Sequence, residues 1–394
     1  GEAFLPDRAA LADSAGSTAV KALNRWTGAQ AARIRIEAAR QIPLITSWDV
    51  RPVAPGVDVW DMWPVQRRDG SVARFDGVEL WMALSAPALA DPAGRHDIAR
   101  LRLLSLKGGA YRDCGDVLPT DFAPGSREWA GSAVIDDGAA KVTLYFTAAG
   151  RRGERPPGFE QRLFETTAPL VSRPGKPFGF GAWTAPVESF LADGEDYVST
   201  ALEPGEPGHI KAFRDPAYFR DPADGVEYLL FAASLKKSKS RWNGAIGIAR
   251  REGASWRLCP PLLSADELNN ELERPHVIAR DGAYYLFWST QRHMFDPSGP
   301  SGPNGLYGMR GASLSGPYEP LNGGGLVAGN PGAEPFQTYS WLVLDTFEVV
   351  SFIDYWGMEG RSLAAHPDLK RSRFGGAPAP RFRIAIDGLK ASVV

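Results

Sequence analysis

The sequence is short of the residues that build metal and redox centres. Only two cysteines, Cys114 and Cys259, occur in 394 residues. Two thiols cannot furnish a structural zinc site, and they leave open either one disulfide or two free thiols. The five histidines (His96, His209, His276, His293, His366) show no metal-ligand spacing. A net charge of -2 gives no electrostatic footprint for nucleic acid or an anionic membrane. No apolar run approaches the roughly 18 residues that span a bilayer. The expectation is a protein with no metal, no cofactor, no nucleic-acid partner and no membrane span; oligomeric state stays open. The chain starts at Gly1 without Met or an apolar leader, a start compatible with a removed signal peptide or with none.

What is abundant points elsewhere. The chain holds 43 Gly and 32 Pro, which implies many turns, and 12 Trp, which suit sugar faces where they line a cleft and otherwise fill cores. From Asp13 to Gln41 the chain is rich in Ala and Arg. Val20, Leu23, Trp26 and Ile34 stand there at near-helical spacing. Residues 1–44 are thus expected to form a helical extension packed outside the main body.

Beyond Pro43 the helical period fades into short β-type runs: Val78–Leu84, Lys141–Thr147, Glu227–Phe231, Tyr284–Ser289 and Val349–Ile353. Asp-Gly pairs precede several of them (Asp76-Gly77, Asp137-Gly138, Asp224-Gly225, Asp281-Gly282), the signal of consecutive hairpins. About five such units follow residue 50, at a spacing on the order of 50–70 residues that suits four-stranded blades. The reading is an all-β, five-bladed β-propeller over residues 45–394 in one domain. A β-sandwich with appendages is the competing architecture.

Three acids stand out by their neighbours. Asp61 lies between Trp60 and Trp63, where a surface charge is out of place; its plainer role is to cap a turn between core aromatics. Asp215 occurs in Phe213-Arg214-Asp215-Pro216, copied six residues later as Phe219-Arg220-Asp221-Pro222. Asp221 runs into a turn sequence and reads as a hairpin, so Asp215 is the better site candidate. The third is Glu273, at the end of an acidic cluster with Glu267 and Glu271; Asp266 and Glu267 read as solvated loop. A proline follows each candidate closely (Pro64, Pro216, Pro275), which fits strand starts and bulges. Inner strands of a propeller converge on one axis, so acids far apart in sequence can meet there.

On these residues the chain resembles glycoside hydrolase family 68, the levansucrases, inulosucrases and related β-fructofuranosidases, and its proteobacterial branch more than the Gram-positive one. Trp60-Asp61-Met62-Trp63-Pro64 is similar to the family's nucleophile motif. Glu128-Trp129-Ala130-Gly131-Ser132-Ala133 is similar to its Glu-Trp-Ser-Gly-Ser-Ala segment. Arg214-Asp215-Pro216 resembles the stabiliser motif, Glu271-Leu272-Glu273-Arg274 the acid/base motif, and Gln337-Thr338-Tyr339-Ser340 a further family segment. The likeness covers roughly residues 45–394.

The resemblance implies a retaining fructosyltransferase that cleaves sucrose and passes fructose to a growing fructan or oligosaccharide. Asp61 would be the nucleophile, Glu273 the acid/base and Asp215 the stabiliser. Trp60, Trp129, Arg214, Glu271, Gln291 and Tyr339 would bind substrate. Glu273 must be protonated at working pH, so its pKa should be raised by burial or by nearby Asp61 and Glu271. An extracellular or periplasmic location is likewise implied by the family. The alternatives are hydrolysis of sucrose by a β-fructofuranosidase and, in another class, a non-catalytic carbohydrate-binding propeller. Three departures from the family pattern bear on activity. Ala130 replaces a Ser beside the nucleophile, a hydrogen bond to a charged group worth about 1.5–3 kcal/mol. Ala232 stands near a usual Glu, and Gln291 where others have Arg or His.

Overall fold

A computed structural model describes residues 22–394, apart from 137 and 176. The chain is built almost entirely from antiparallel meanders. Each of the five apolar runs is the second strand of one meander: Val78–Pro87, Lys141–Ala149, Glu227–Ser234, Ala283–Thr290 and Glu348–Tyr355. Their continuous burial explains why they read so clearly, since a strand covered on both faces carries no polar alternation. Asp76-Gly77 and Asp281-Gly282 are real turns, whereas Asp137 lies outside the described residues. Asp76 and Gly77 have φ of 51° and 78°, and Asp281 and Gly282 have φ of 51° and 77°, the left-handed pair that a two-residue hairpin needs.

The first strands of the meanders are Val57–Gln66, Arg127–Asp136, Phe213–Arg220, Glu273–Arg280 and Thr338–Val343. Each touches the next, and the last returns to the first, so they close a ring. The first two meanders also fuse into one sheet through parallel pairing of Val65 with Ala133 and Gln66 with Val134. The remaining three are separate five-stranded sheets; one of them includes the N-terminal strand Asn24–Arg25.

All five first strands lose register at the same point. The shift falls between Val59 and Met62, Trp129 and Ser132, Arg214 and Ala217, Glu273 and His276, and Tyr339 and Leu342. These are β-bulges, which bend a strand and re-aim its side chains. Three of them place a non-glycine residue at positive φ: Asp215 (64°), Arg274 (50°) and Ser340 (59°). In a fourth, a Cβ on Gly131 would sit 1.8 Å from the Tyr145 carbonyl oxygen, so only glycine fits. A bulge frees backbone donors from the ladder, and side chains of adjoining elements take them up. Asp215 N–H donates to Thr147 Oγ1 (3.0 Å), Tyr218 N–H to Ser132 Oγ (3.0 Å), and Val343 N–H to His276 Nε2 (2.9 Å).

The expected outer helix is not found in the described part of residues 1–44. Asn24–Arg25 pairs in parallel with Leu263–Ser264, Gly28–Ala31 is a single helical turn capped by Thr27, and Ala38–Arg40 is a 3-10 turn. Val20 lies outside the described residues. Trp26 is buried, donates Nε1–H to the Gly324 carbonyl (3.0 Å) and packs edge-on against Trp288. Leu23, Trp26 and Ile34 pack on one core cluster of the body without sharing a helix face. Cys114 and Cys259 are both free thiols.

Candidate active site

Eight residues singled out from the sequence line one cavity of about 250 Å³: Trp60, Asp61, Trp129, Ala130, Arg214, Asp215, Glu271 and Glu273. Seven come from successive first strands, at or just before the bulges, and Glu271 from the segment that leads into Glu273–Arg280. Tyr339 joins them by donating its hydroxyl to Glu273 Oε1 (2.7 Å). A larger cavity, about 650 Å³, is lined by the C-terminal halves of the same strands; Asp215 borders both. Its carboxylates lie near the chain's turns, and the acids with chemical promise gather in the smaller one. Among the described residues no cluster of His, Cys, Asp and Glu is arranged to hold a metal ion.

The three acids differ in their partners. Asp215 is buried; its Oδ2 accepts the Arg274 backbone N–H (3.0 Å), with Arg214 Nε 3.9 Å away. Arg274 is itself fixed by Ser340 Oγ (2.9 Å) and the Met62 carbonyl (2.6 Å). Arg214 Nη2 bridges Glu271 (3.0 Å) and Glu273 (3.7 Å). The Asp61 carboxylate receives no hydrogen bond from a described residue. Ala130 supplies only a carbonyl here, which accepts from Thr147 Oγ1 (2.9 Å).

Burial, reinforced by like charges, raises the acids. Burial pushes Glu273 up to about 7, and the charges of Glu271 and Asp61 add to this against the pull of Arg214 and the Tyr339 hydrogen bond. Burial likewise pushes Asp215 up to about 7, opposed by Arg214 and the Arg274 N–H and reinforced by Glu273 and Asp61. Burial works against the Arg214 cation, but Glu271, Glu273 and Asp215 outweigh it and hold its pKa above the usual guanidinium value. Carboxyls this close titrate as a set. Arg214 serves both carboxyls, and each has one further donor: the Arg274 N–H on Asp215 and the Tyr339 hydroxyl on Glu273.

Asp221 forms the expected turn: its side chain accepts the Ala223 N–H (2.9 Å) and its carbonyl the Gly225 N–H (2.7 Å). It is also buried and accepts the Tyr284 hydroxyl (2.5 Å), a structural tie the sequence did not show. Ala232 is buried and pairs across the ladder with Arg214. Gln291 is not among the cavity-lining residues. It precedes the 3-10 turn Arg292–Met294 without a side-chain cap, and Met294 lines the cavity instead. Reasoning from sequence missed His96, Asp97, Phe159 and Ile210 in the wall. It also missed Asp354, whose Oδ1 is buried without a hydrogen bond; burial pushes that carboxyl up to about 6, Arg95 opposing and Asp61 reinforcing.

Fold and site together define a class: an all-β protein whose first strands enclose a pocket of carboxylates gathered around one arginine. The glycoside hydrolase family 68 pattern, levansucrase/invertase, matches residues 16–242 and 234–394, and the chain belongs to this family. The levansucrase of Rahnella aquatilis is 30% identical over 413 residues, covering 93% of this chain and 93% of that one. The levansucrase of Zymomonas mobilis is 30% identical over 397 residues, covering 93% and 89%. The inulosucrase from Halalkalicoccus jeotgali, solved bound to kestose, superposes with a TM-score of 0.86 at 37% identity, covering 94% of each chain.

Proposed function

We propose that the protein is a sucrose-dependent fructosyltransferase, and that the five meanders are the blades of a propeller whose axis holds the site. The observation that carries the reading is the union of Asp61, Asp215 and Glu273 in one cavity, with Arg214 among them, in a chain of the levansucrase/invertase family. Asp61, without a hydrogen bond from the described residues, attacks the anomeric carbon of the fructosyl unit. Glu273, protonated near neutrality, gives its proton to the departing glucosyl oxygen, so glucose leaves and a fructosyl–Asp61 ester remains. Ionised Asp215, held by the Arg274 N–H, stabilises the oxocarbenium-like charge. Glu273, now a carboxylate, takes the proton of an incoming hydroxyl, which displaces Asp61 and restores the starting state. Phe159, Ile210 and Met294 give the cavity an apolar wall that favours a sugar acceptor over water.

The test is to incubate the protein with sucrose and quantify free glucose against free fructose. Glucose in excess supports transfer. Equal amounts place the protein with the β-fructofuranosidases, and release of neither overturns the enzymatic reading.

A further inference from the structure

A groove of about 800 Å³ lies between the first and fifth meanders. It shares no lining residue with the acid-bearing cavity. Ala83 pairs with Met62, next to Asp61, and Glu79 of the groove lies four residues nearer the hairpin, roughly 13 Å further along the strand. The groove is lined by Trp48, 82% exposed and the most exposed aromatic among the described residues. The turn that carries this indole is fixed. Asp49 Oδ2 accepts the Thr46 N–H (2.7 Å) and hydroxyl (3.1 Å), Asp49 N–H donates to the Thr46 carbonyl (3.0 Å), and Arg51 Nε–H donates to the Trp48 carbonyl (3.2 Å). A large apolar ring is thus held in water at a set place. The polar lining is a network. Glu79 accepts from Arg74 (2.9 Å), Trp81 Nε1–H (2.9 Å) and Arg381 (3.1 Å), and Arg381, 5.0 Å over the Trp81 ring, also reaches Glu348 (3.7 Å). Three carboxylates (Asp49, Glu79, Glu348) face three guanidinium groups (Arg51, Arg74, Arg381), so the groove selects no ion of either sign. So many charges are also foreign to the centre of a protein–protein contact. What fits is a neutral ligand with an apolar face and a polar rim. A sugar ring has both: C–H bonds on its face, and hydroxyls that each donate and accept.

We propose that this groove is a second, non-catalytic carbohydrate site that holds a β-fructan chain, with a fructosyl ring against Trp48 and hydroxyls on the Arg–Glu network. The choice of fructan among neutral saccharides rests on the fructosyl-transfer reading, because that reaction makes the polymer on the same molecule. The groove's selection of a neutral sugar follows from its own lining and is independent of that reading.

The experiment is native electrophoresis of the full chain through gels cast with inulin, levan or dextran, with glucose release from sucrose measured on the same preparations. The expected result is retardation of wild-type protein by at least one of the two fructans and not by dextran. Trp48→Ala weakens that binding by roughly tenfold, the size of one lost aromatic anchor, and Trp48→Phe recovers part of it. Because Trp48 is exposed and outside the acid-bearing cavity, the thermal midpoint and kcat/KM for glucose release stay at wild-type values in both variants. The proposal is overturned by absence of retardation, by equal retardation of Trp48→Ala and wild type, or by equal retardation in dextran. It is also overturned if sedimentation shows a wild-type dimer that Trp48→Ala converts to monomer, which assigns the groove to a second copy of the chain. Retardation that depends on Trp48 in a protein that releases no glucose would sink the transfer reading and leave the groove a fructan site.

Discussion

Arg214 lies between two carboxylates of one short segment, 3.0 Å from Glu271 and 3.7 Å from Glu273. The Glu271 charge raises Glu273, and Glu271 also holds the nearer place on the guanidinium. Glu271→Gln removes the first effect and frees Arg214 for Glu273; both changes favour the ionised form of Glu273. On the proposed mechanism Glu273 is the acid of the first step and must be protonated, so activity declines as pH rises through its pKa near 7. The alkaline limb of kcat/KM for glucose release therefore moves to lower pH in Glu271→Gln. A limb that stays in place, or moves up, contradicts this account of the acid/base.

The two Phe-Arg-Asp-Pro copies separate by consequence. Asp215 borders the site and Asp221 ties a turn to Tyr284. Asp61→Ala and Asp215→Asn are expected to abolish or nearly abolish glucose release with the fold intact. Asp221→Ala leaves the Tyr284 hydroxyl without its acceptor, at a cost of about 1–3 kcal/mol in stability, while most activity survives at low temperature. Urea melts and glucose assays on the same preparations decide the matter; an inactive but fully stable Asp221→Ala protein reverses the choice.

The burial and crowding that suit the chemistry weaken the fold at high pH. A carboxyl whose folded pKa is raised costs nothing at pH values below its unfolded value, about 4.3 for Glu; the destabilisation grows as pH rises from there and is complete above the folded value. For Glu273 that window runs from there to about 7. Glu273→Gln keeps an acceptor for the Tyr339 hydroxyl and carries no charge. Its thermal midpoint is expected to exceed that of wild type in alkaline buffer by several degrees, with the gap closing in acid buffer, while glucose release is lost. A gap that is the same at both pH values would show that packing, not ionisation, is responsible.

These relationships bear on what could be read before any coordinates. The apolar second strands were legible because burial on both faces leaves an unbroken run, and Asp76-Gly77 and Asp281-Gly282 announced their own φ values. Asp61, Asp215 and Glu273 were legible because Trp and Pro beside a carboxylate mark a strand that cannot continue regularly, and bulges stand at those places. The N-terminal segment misled because spacing reports a helix only when the apolar residues share one surface. Leu23, Trp26 and Ile34 instead anchor a strap along the body, and tertiary contact overrides local periodicity. His96 was illegible: an Arg-His-Asp triplet in a loop looks like solvated surface, and only the turn that buries Arg95 makes its neighbour part of the wall.

Thr147 links two strands of the ring, donating to the Ala130 carbonyl (2.9 Å) and accepting the Asp215 N–H (3.0 Å). Asp215 adopts positive φ, so its backbone geometry depends on such outside support. Thr147→Val preserves shape but orphans both buried groups, a loss of about 1–3 kcal/mol. Because Asp215 carries the carboxylate, kcat falls together with stability, while Thr147→Ser recovers both. Failure of the serine variant to restore kcat would place the methyl group, not the hydroxyl, in control.

Ala130 is the departure that most directly concerns the nucleophile. It is buried and lines the same cavity as Asp61, and Asp61 has no donor from a described residue. A carboxylate without donors is free to rotate, so only part of its population points at the anomeric carbon. Ala130→Ser adds one hydroxyl at a backbone that Thr147 already fixes through the Ala130 carbonyl. A hydrogen bond to a charged group contributes about 1.5–3 kcal/mol, some of it spent on holding Asp61 in one rotamer. The expected outcome is a rise in kcat for glucose release, with the ratio of transfer to hydrolysis unchanged because the acceptor wall of Phe159, Ile210 and Met294 is untouched. Burst kinetics on sucrose check which step gains: a larger rate of fructosyl–enzyme formation supports positioning of the nucleophile. A lower rate would mean that the added hydrogen bond quenches Asp61, and that the unbonded carboxylate is what this pocket uses to stay reactive.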